Sequence, residues 1–222
     1  MFIGTASSAS SAWAIPTLQL HIPNAEYNSD NESWMSYDNP FTLQVIGATS
    51  PQNISTIEDI MLHISVPKQW YLDSGGEVSI IDADGSTTML TYTDSTPYGS
   101  PDKINGSPDL YPGYYYSLSL PDMDFENSNL QEVYNWDPTE DEQSTDSGII
   151  YNYQITYESD YIFGLHFDVT GTKDGTKSIF APYSHNADAP SKTPEPASIF
   201  LFGTGLIGLA GFGRKKFFRK SN

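Results

Sequence analysis

Two runs decide the fold: Ile149-Ile-Tyr-Asn-Tyr-Gln-Ile-Thr-Tyr157 and Tyr161-Ile-Phe-Gly-Leu-His-Phe-Asp-Val169, separated by Glu158-Ser-Asp160. In the second, Tyr161, Phe163, Leu165, Phe167 and Val169 share one face, the period-2 signature of a strand with a buried side. The two read as the clearest strand pair. Outward from them the same alternation recurs in Leu18, Leu20 and Ile22, in Phe41, Leu43 and Val45, and in Ile60, Leu62, Ile64 and Val66. Val78 and Ile80 face Thr88, Leu90 and Tyr92 across Asp82-Ala-Asp-Gly-Ser86, a linker whose Asp and Gly tolerate the left-handed backbone of a tight hairpin. Tyr114–Leu120 completes the set. No stretch of useful length has the 3.6-residue period of an amphipathic helix. About eight short strands joined by turn-rich loops predict an all-β fold, an antiparallel β-sandwich over residues 15–187. Asp94–Pro112 and Asp122–Gly148 read as long loops.

The composition, 38% hydrophobic and 14% aromatic, suits a folded chain and not a disordered one. Cysteine is absent, which excludes disulfides, thiolate nucleophiles and cysteine-held metals. Charge is strongly segregated. Five of the ten Lys and Arg residues lie between Arg214 and Lys220, and all 28 acids precede them, so the chain before this tail carries a net charge of −23. Such a surface repels nucleic acid, whose binding needs cations to replace counterions.

The ends differ from the middle. Ala12-Trp13-Ala14 is an A-x-A-like site of the kind a signal peptidase cuts, without the basic start and apolar run that precede one. Residues 1–14 are therefore read as the end of a longer signal peptide, with a Ser/Ala-rich leader as the other reading. Residues 188–196, rich in Pro, Ser and Lys, read as a linker. Ala197–Gly213 is uncharged over 17 residues, long enough as a helix for roughly 25 Å, the short end for a bilayer. Its glycines are tolerated better in lipid than in water. Arg214, Lys215 and Lys216 then form a membrane stop, which predicts a cytoplasmic tail (214–222) and an acidic domain outside.

Pro194-Glu195-Pro196, a glycine-dotted hydrophobic segment and an Arg/Lys close, in that order, resemble the PEP-CTERM sorting signal. The resemblance implies export through the general secretion route of a Gram-negative bacterium and recognition by an exosortase, a membrane transpeptidase-like enzyme. It further implies processing near Pro194, Glu195 and Pro196, and deposition at the surface or in extracellular matrix, often beside exopolysaccharide. Ile15–Ile22, Phe41–Ile46, Asp109–Tyr116 and Glu132–Asn135 are also similar to exported proteins called choice-of-anchor N. That family shares an exported domain and varies its sorting signal; membership implies a surface role and no known reaction.

Motifs for chemistry are sparse. Asp82-Ala-Asp84-Gly85-Ser86 resembles the start of a calcium loop but lacks the distal ligands, so the hairpin reading is preferred. Asp137–Asp146 is an acidic run read as a solvated loop, with weak Ca2+ binding as the alternative. His21, His63, His166 and His185 show no metal spacing, and the first three fall on the polar side of their strands, where surface placement is expected. No cofactor or metal is expected, and neither a G-x-S-x-G elbow nor a phosphate loop occurs. The aromatics are the better lead. Tyr111, Tyr114, Tyr115 and Tyr116, with Trp34, Trp70 and Trp136, either pack the sandwich or stack on sugar rings. Tyr115 and Trp136 are the candidate glycan contacts. The expectation is a non-enzymatic surface or matrix protein. A carbohydrate-binding module that retains exopolysaccharide is the alternative, and a hydrolase the third reading.

Overall fold

The computed structural model describes residues 15–30, 33–49, 53–68, 76–100, 113–134, 145–158, 162, 164–182 and 186–190. These form fifteen strands. The first five are β1 (Leu18–His21), β2 (Glu26–Asn28), β3 (Ser33–Met35), β4 (Phe41–Ala48) and β5 (Thr56–Val66). β6 (Gly76–Ile81), β7 (Thr87–Tyr92), β8 (Tyr98–Gly99), β9 (Gly113–Ser119) and β10 (Met123–Asp124) follow. The last are β11 (Gln131–Tyr134), β12 (Thr145–Tyr157), β13 (Gly164–Lys173), β14 (Lys177–Phe180) and β15 (Asn186–Pro190).

They make two sheets. One has six strands in the order β1-β4-β12-β6-β7, with β11 also on β12. The other has nine, in the order β2-β3-β15-β13-β5-β9-β8, with β10 on β5 and β14 on β13. Pairing is antiparallel except for β15 against β3. The alternating apolar residues build the core: Leu18, Leu20, Leu43, Val45, Val78, Ile80 and Ile155 from one sheet join Leu62, Ile64, Val66, Leu165, Phe167 and Val169 from the other. Phe41 and Phe167 meet edge to face, with centroids 5.8 Å apart. Tyr92, fully buried, donates its hydroxyl to the Ile64 carbonyl in the opposite sheet at 2.7 Å. Parity is kept at Gly47, the next core-facing position after Val45, where an added β-carbon would collide with Met123 Sδ and approach Ile57 Cδ1 to 2.9 Å. It is broken once, on β5. The register against β13 shifts between Thr170 and Thr172, and Asp59 has φ of 50°, so Ile57 and Ile60 both reach the core despite their odd spacing.

All eight predicted strands are present, as β1, β4, β5, β6, β7, β9, β12 and β13. The Asp82–Ser86 hairpin is as read: Ile81 pairs with Thr87, and Gly85 turns at φ of 87°. Four expectations need correction. The strand count is fifteen, because seven pieces of two to five residues are too short to show a period. The predicted loop 122–148 contains β10, β11 and the start of β12. The linker expected from residue 188 begins later. Ala187 and Ala189 are fully buried and Asp188 nearly so, and their backbone is paired with β13, which places 188–190 inside the domain. β12 and β13, read as a strand pair, do not pair either, since they lie in opposite sheets. The chain divides after Ser191 into two units, and the second, Lys192–Asn222, with the predicted helix 197–213, lies outside the described residues.

Candidate functional site

The core-facing parity of β13 turns His166, Asp168 and Thr170 to the other side of the nine-stranded sheet, where exposure was expected for the histidines. They are instead buried, as are His63 and Ser65 on β5, Asn186 and Asp188 on β15, and Ser33 on β3. Cross-strand register explains the meeting: His166 lies opposite Ser65 on one side and Asp188 on the other, and Asp168 lies opposite His63. His166 Nδ1 donates to Asp188 Oδ1 at 2.6 Å, and its Nε2 lies 3.3 Å from Asp168 Oδ2. Asn186 Nδ2 donates to Asp168 Oδ1 at 2.9 Å, and the Ser33 hydroxyl donates to Asp188 Oδ2. Beside this row His63 is held by Ser117 Oγ at 2.8 Å and Thr170 Oγ1 at 3.0 Å.

Burial pushes the His166 pKa down, but Asp168 and Asp188 more than reverse this and raise it to about 10. At neutral pH the cluster is an imidazolium between two carboxylates. It ties β15 to β13 and to β3. Among the described residues no group of three His, Asp or Glu side chains is arranged to hold a metal ion. His21, on β1, is also buried, and burial lowers its pKa against the opposing effect of its hydrogen bond with Gln44 Oε1 at 2.9 Å.

The aromatics divide by parity. Tyr114 and Tyr116 pack against the core, with Tyr116 edge to face on Tyr92 at 5.0 Å and its hydroxyl donating to the Thr91 carbonyl at 2.6 Å. Tyr115 points the other way, half-buried, on the side of Ser65. Trp136, Tyr111 and Trp70 lie outside the described residues, as do most of the acidic run 137–146 and His185. Tyr115 is therefore not joined to its expected partner among the described residues. A different aromatic surface forms at β2 and β3. Trp34 meets His21 edge to face at 5.0 Å and Tyr27 at 5.3 Å. Tyr27 then lines an open depression of about 230 Å³ with Glu26, Asn28, Ser29, Met35 and Tyr37.

The remaining feature is the segment after Ser191. Residues 192–215 match the model of the PEP-CTERM protein-sorting motif. The chain carries a PEP-CTERM sorting signal. Pro194, Glu195, Pro196, Arg214 and Lys215 fall within the match and Lys216 directly follows it; all lie outside the described residues. A PEP-CTERM signal directs export, anchors its chain at the membrane for sorting and brings it to an exosortase. No curated protein and no solved structure matches the chain. The PEP-CTERM order of proline, oil and cations was legible because all three parts are contiguous. The His166 cluster was missed because it assembles residues from strands far apart in sequence, and the β2–β3 depression because its two strands are three residues each, too short to show a period.

Proposed function

We propose that this is a non-enzymatic protein of the cell surface or extracellular matrix, an acidic β-sandwich delivered by its PEP-CTERM signal. The observation that carries this is the match at 192–215 directly following a folded domain whose last strand is β15. The charge of −23 before the tail suits a domain that must stay soluble. Among the described residues, Asp168 and Asp188 are both engaged by His166, and the three brace the fold.

Fractionation of cells making the wild type and a Pro194→Ala, Glu195→Ala, Pro196→Ala variant tests it. Wild-type chain is expected in the surface or medium fraction, shortened near residue 194, with the variant held at full length in the inner membrane. Identical distribution and length for both would refute the sorting role of these residues.

A further inference from the structure

Four strands end the paths of the two sheets: β1, β7, β2 and β8. All four residues of β1 are buried, β2 has three residues and carries Glu26, and β8 has two. β7 is different. Its six residues, Thr87-Thr-Met-Leu-Thr-Tyr92, hold no charge, no proline and no bulge against β6, the devices that keep an edge from pairing with another chain. The Asp82 N–H donates to the Ser86 carbonyl at 3.1 Å, which makes these two the first bonded pair of the hairpin. With Ile81 opposite Thr87, bonded pairs then recur at Ile80–Thr88, Val78–Leu90 and Gly76–Tyr92. The N–H and C=O groups of Thr87, Met89 and Thr91 therefore point away from β6. Among the described residues only the Thr91 carbonyl has a partner there, the Tyr116 hydroxyl at 2.6 Å, and a carbonyl keeps a second lone pair. The same three side chains lie exposed on the outer face, Met89 to 53%.

We propose that β7 pairs antiparallel with β7 of a second copy of this chain, about a two-fold axis at Met89. A two-fold contact must be self-complementary, and the three outward-bonding positions read Thr-Met-Thr in both directions. Met89 meets Met89 of the partner subunit, and Thr87 meets the partner subunit's Thr91, an apolar pair and a Thr–Thr pair of the kind that stabilise neighbouring strands. On the core side Thr88 comes opposite the partner's Leu90, covering a leucine that β7 leaves half-buried. Charge favours a copy of the same strand over other partners. With −23 before the tail, two copies repel over most of their surface and meet at least cost where neither is charged. A cationic partner would be drawn to the acids instead. The turns flanking β7 do carry acids: pairing brings Asp82 and Asp84 of one copy towards the partner's Asp94, so added salt strengthens the contact. One strand pair is small against the roughly 1,200–2,000 Å² of a stable interface, so the dimer is weak and gains from copies held on one surface. Only that setting rests on surface delivery.

Sedimentation velocity of the full chain in detergent tests it. A monomer–dimer equilibrium is expected, with a dissociation constant that falls at least threefold as salt rises from about 0.05 M to about 0.5 M. Met89→Lys should weaken the dimer at least tenfold with an unchanged melting temperature. Tyr98→Lys, equally exposed on β8, should leave it unaltered. Because the chain has no cysteine, register can be read directly: Thr87→Cys and Thr91→Cys chains, mixed, should be joined by a short bis-maleimide faster than either chain alone. Monomer at every salt, cross-linking no faster in the mixture, or a dimer indifferent to Met89→Lys would overturn the proposal, the last by placing the contact elsewhere on the chain. A monomer that takes up an unrelated extended peptide along β7 would overturn it too, since the occupant would not be a copy. Cell fractionation reads independently. Surface delivery of a strictly monomeric chain removes the pairing alone, and pairing by a chain retained inside the cell removes the display reading alone.

Discussion

His166 is where burial and charge oppose each other most directly. With a pKa raised from 6.5 to about 10, the folded chain holds a proton that the unfolded chain releases between those values. The stability due to the ion pairs is thus complete below about pH 6.5 and lost as pH rises towards 10. His21 works in the opposite direction. Its pKa is lowered by burial, so the unfolded chain binds the proton first and stability falls as pH drops below 6.5. A urea midpoint that declines from pH 7 to 10 is expected for the wild type. His166→Gln should flatten that decline while lowering stability at pH 6.5 by about 3–5 kcal/mol, since two buried carboxylates lose their cation. An alkaline decline of equal slope in both proteins would show that other groups cause it. The alternation of β13 reveals that His166 and Asp168 share a face. It cannot reveal that Asp188 returns beside them, because that neighbour is set by strand pairing.

At the scale of elements, β15 is five residues long and yet lies between β13 and β3. Its hold comes from burial of Ala187 and Ala189 on one face and from Asp188 and Asn186 on the other. A chain ending at Pro190 should unfold cooperatively with the midpoint of a longer chain. One ending at Ala187 loses Asp188 and should be less stable by about 3–5 kcal/mol, read as a lower urea midpoint. Equal midpoints would put the domain boundary back at 187. The eight predicted strands were legible because runs such as Leu18–Ile22, Phe41–Val45 and Leu165–Val169 alternate bulky apolar residues clearly enough to stand out. β15 was not. Asn-Ala-Asp-Ala-Pro has no bulky residue, and its small side chains are what let it pack between two neighbours. β2 and β3 were not legible for another reason, being only three residues each. Tyr27, Trp34 and Tyr37 are visible as residues, but the crossing that brings Trp34 beside His21 is a property of the two sheets together.

The whole molecule is a dipole in sequence, with −23 before the tail and five cations in its last nine residues. Moving a strongly acidic domain across a membrane while holding cations back sets orientation, because Lys and Arg beside a hydrophobic segment resist translocation far more than Asp and Glu do. The uncharged segment 197–213 is only 17 residues long and contains five glycines, so it holds less firmly in lipid than a longer leucine-rich span. If Arg214, Lys215 and Lys216 act as the membrane stop proposed from the sequence, they carry much of it. Replacing all three by Gln leaves Arg219 and Lys220 as the cations after the hydrophobic segment. In the wild type a peptide tag after Asn222 should be protected from protease added to spheroplasts, with the β domain digestible or released. In the triple-Gln variant a substantial fraction of the tag should become accessible, and full-length chain should reach the medium. A tag that stays fully protected in the variant would show that the hydrophobic segment stops transfer unaided. The three cations would then serve another step of sorting.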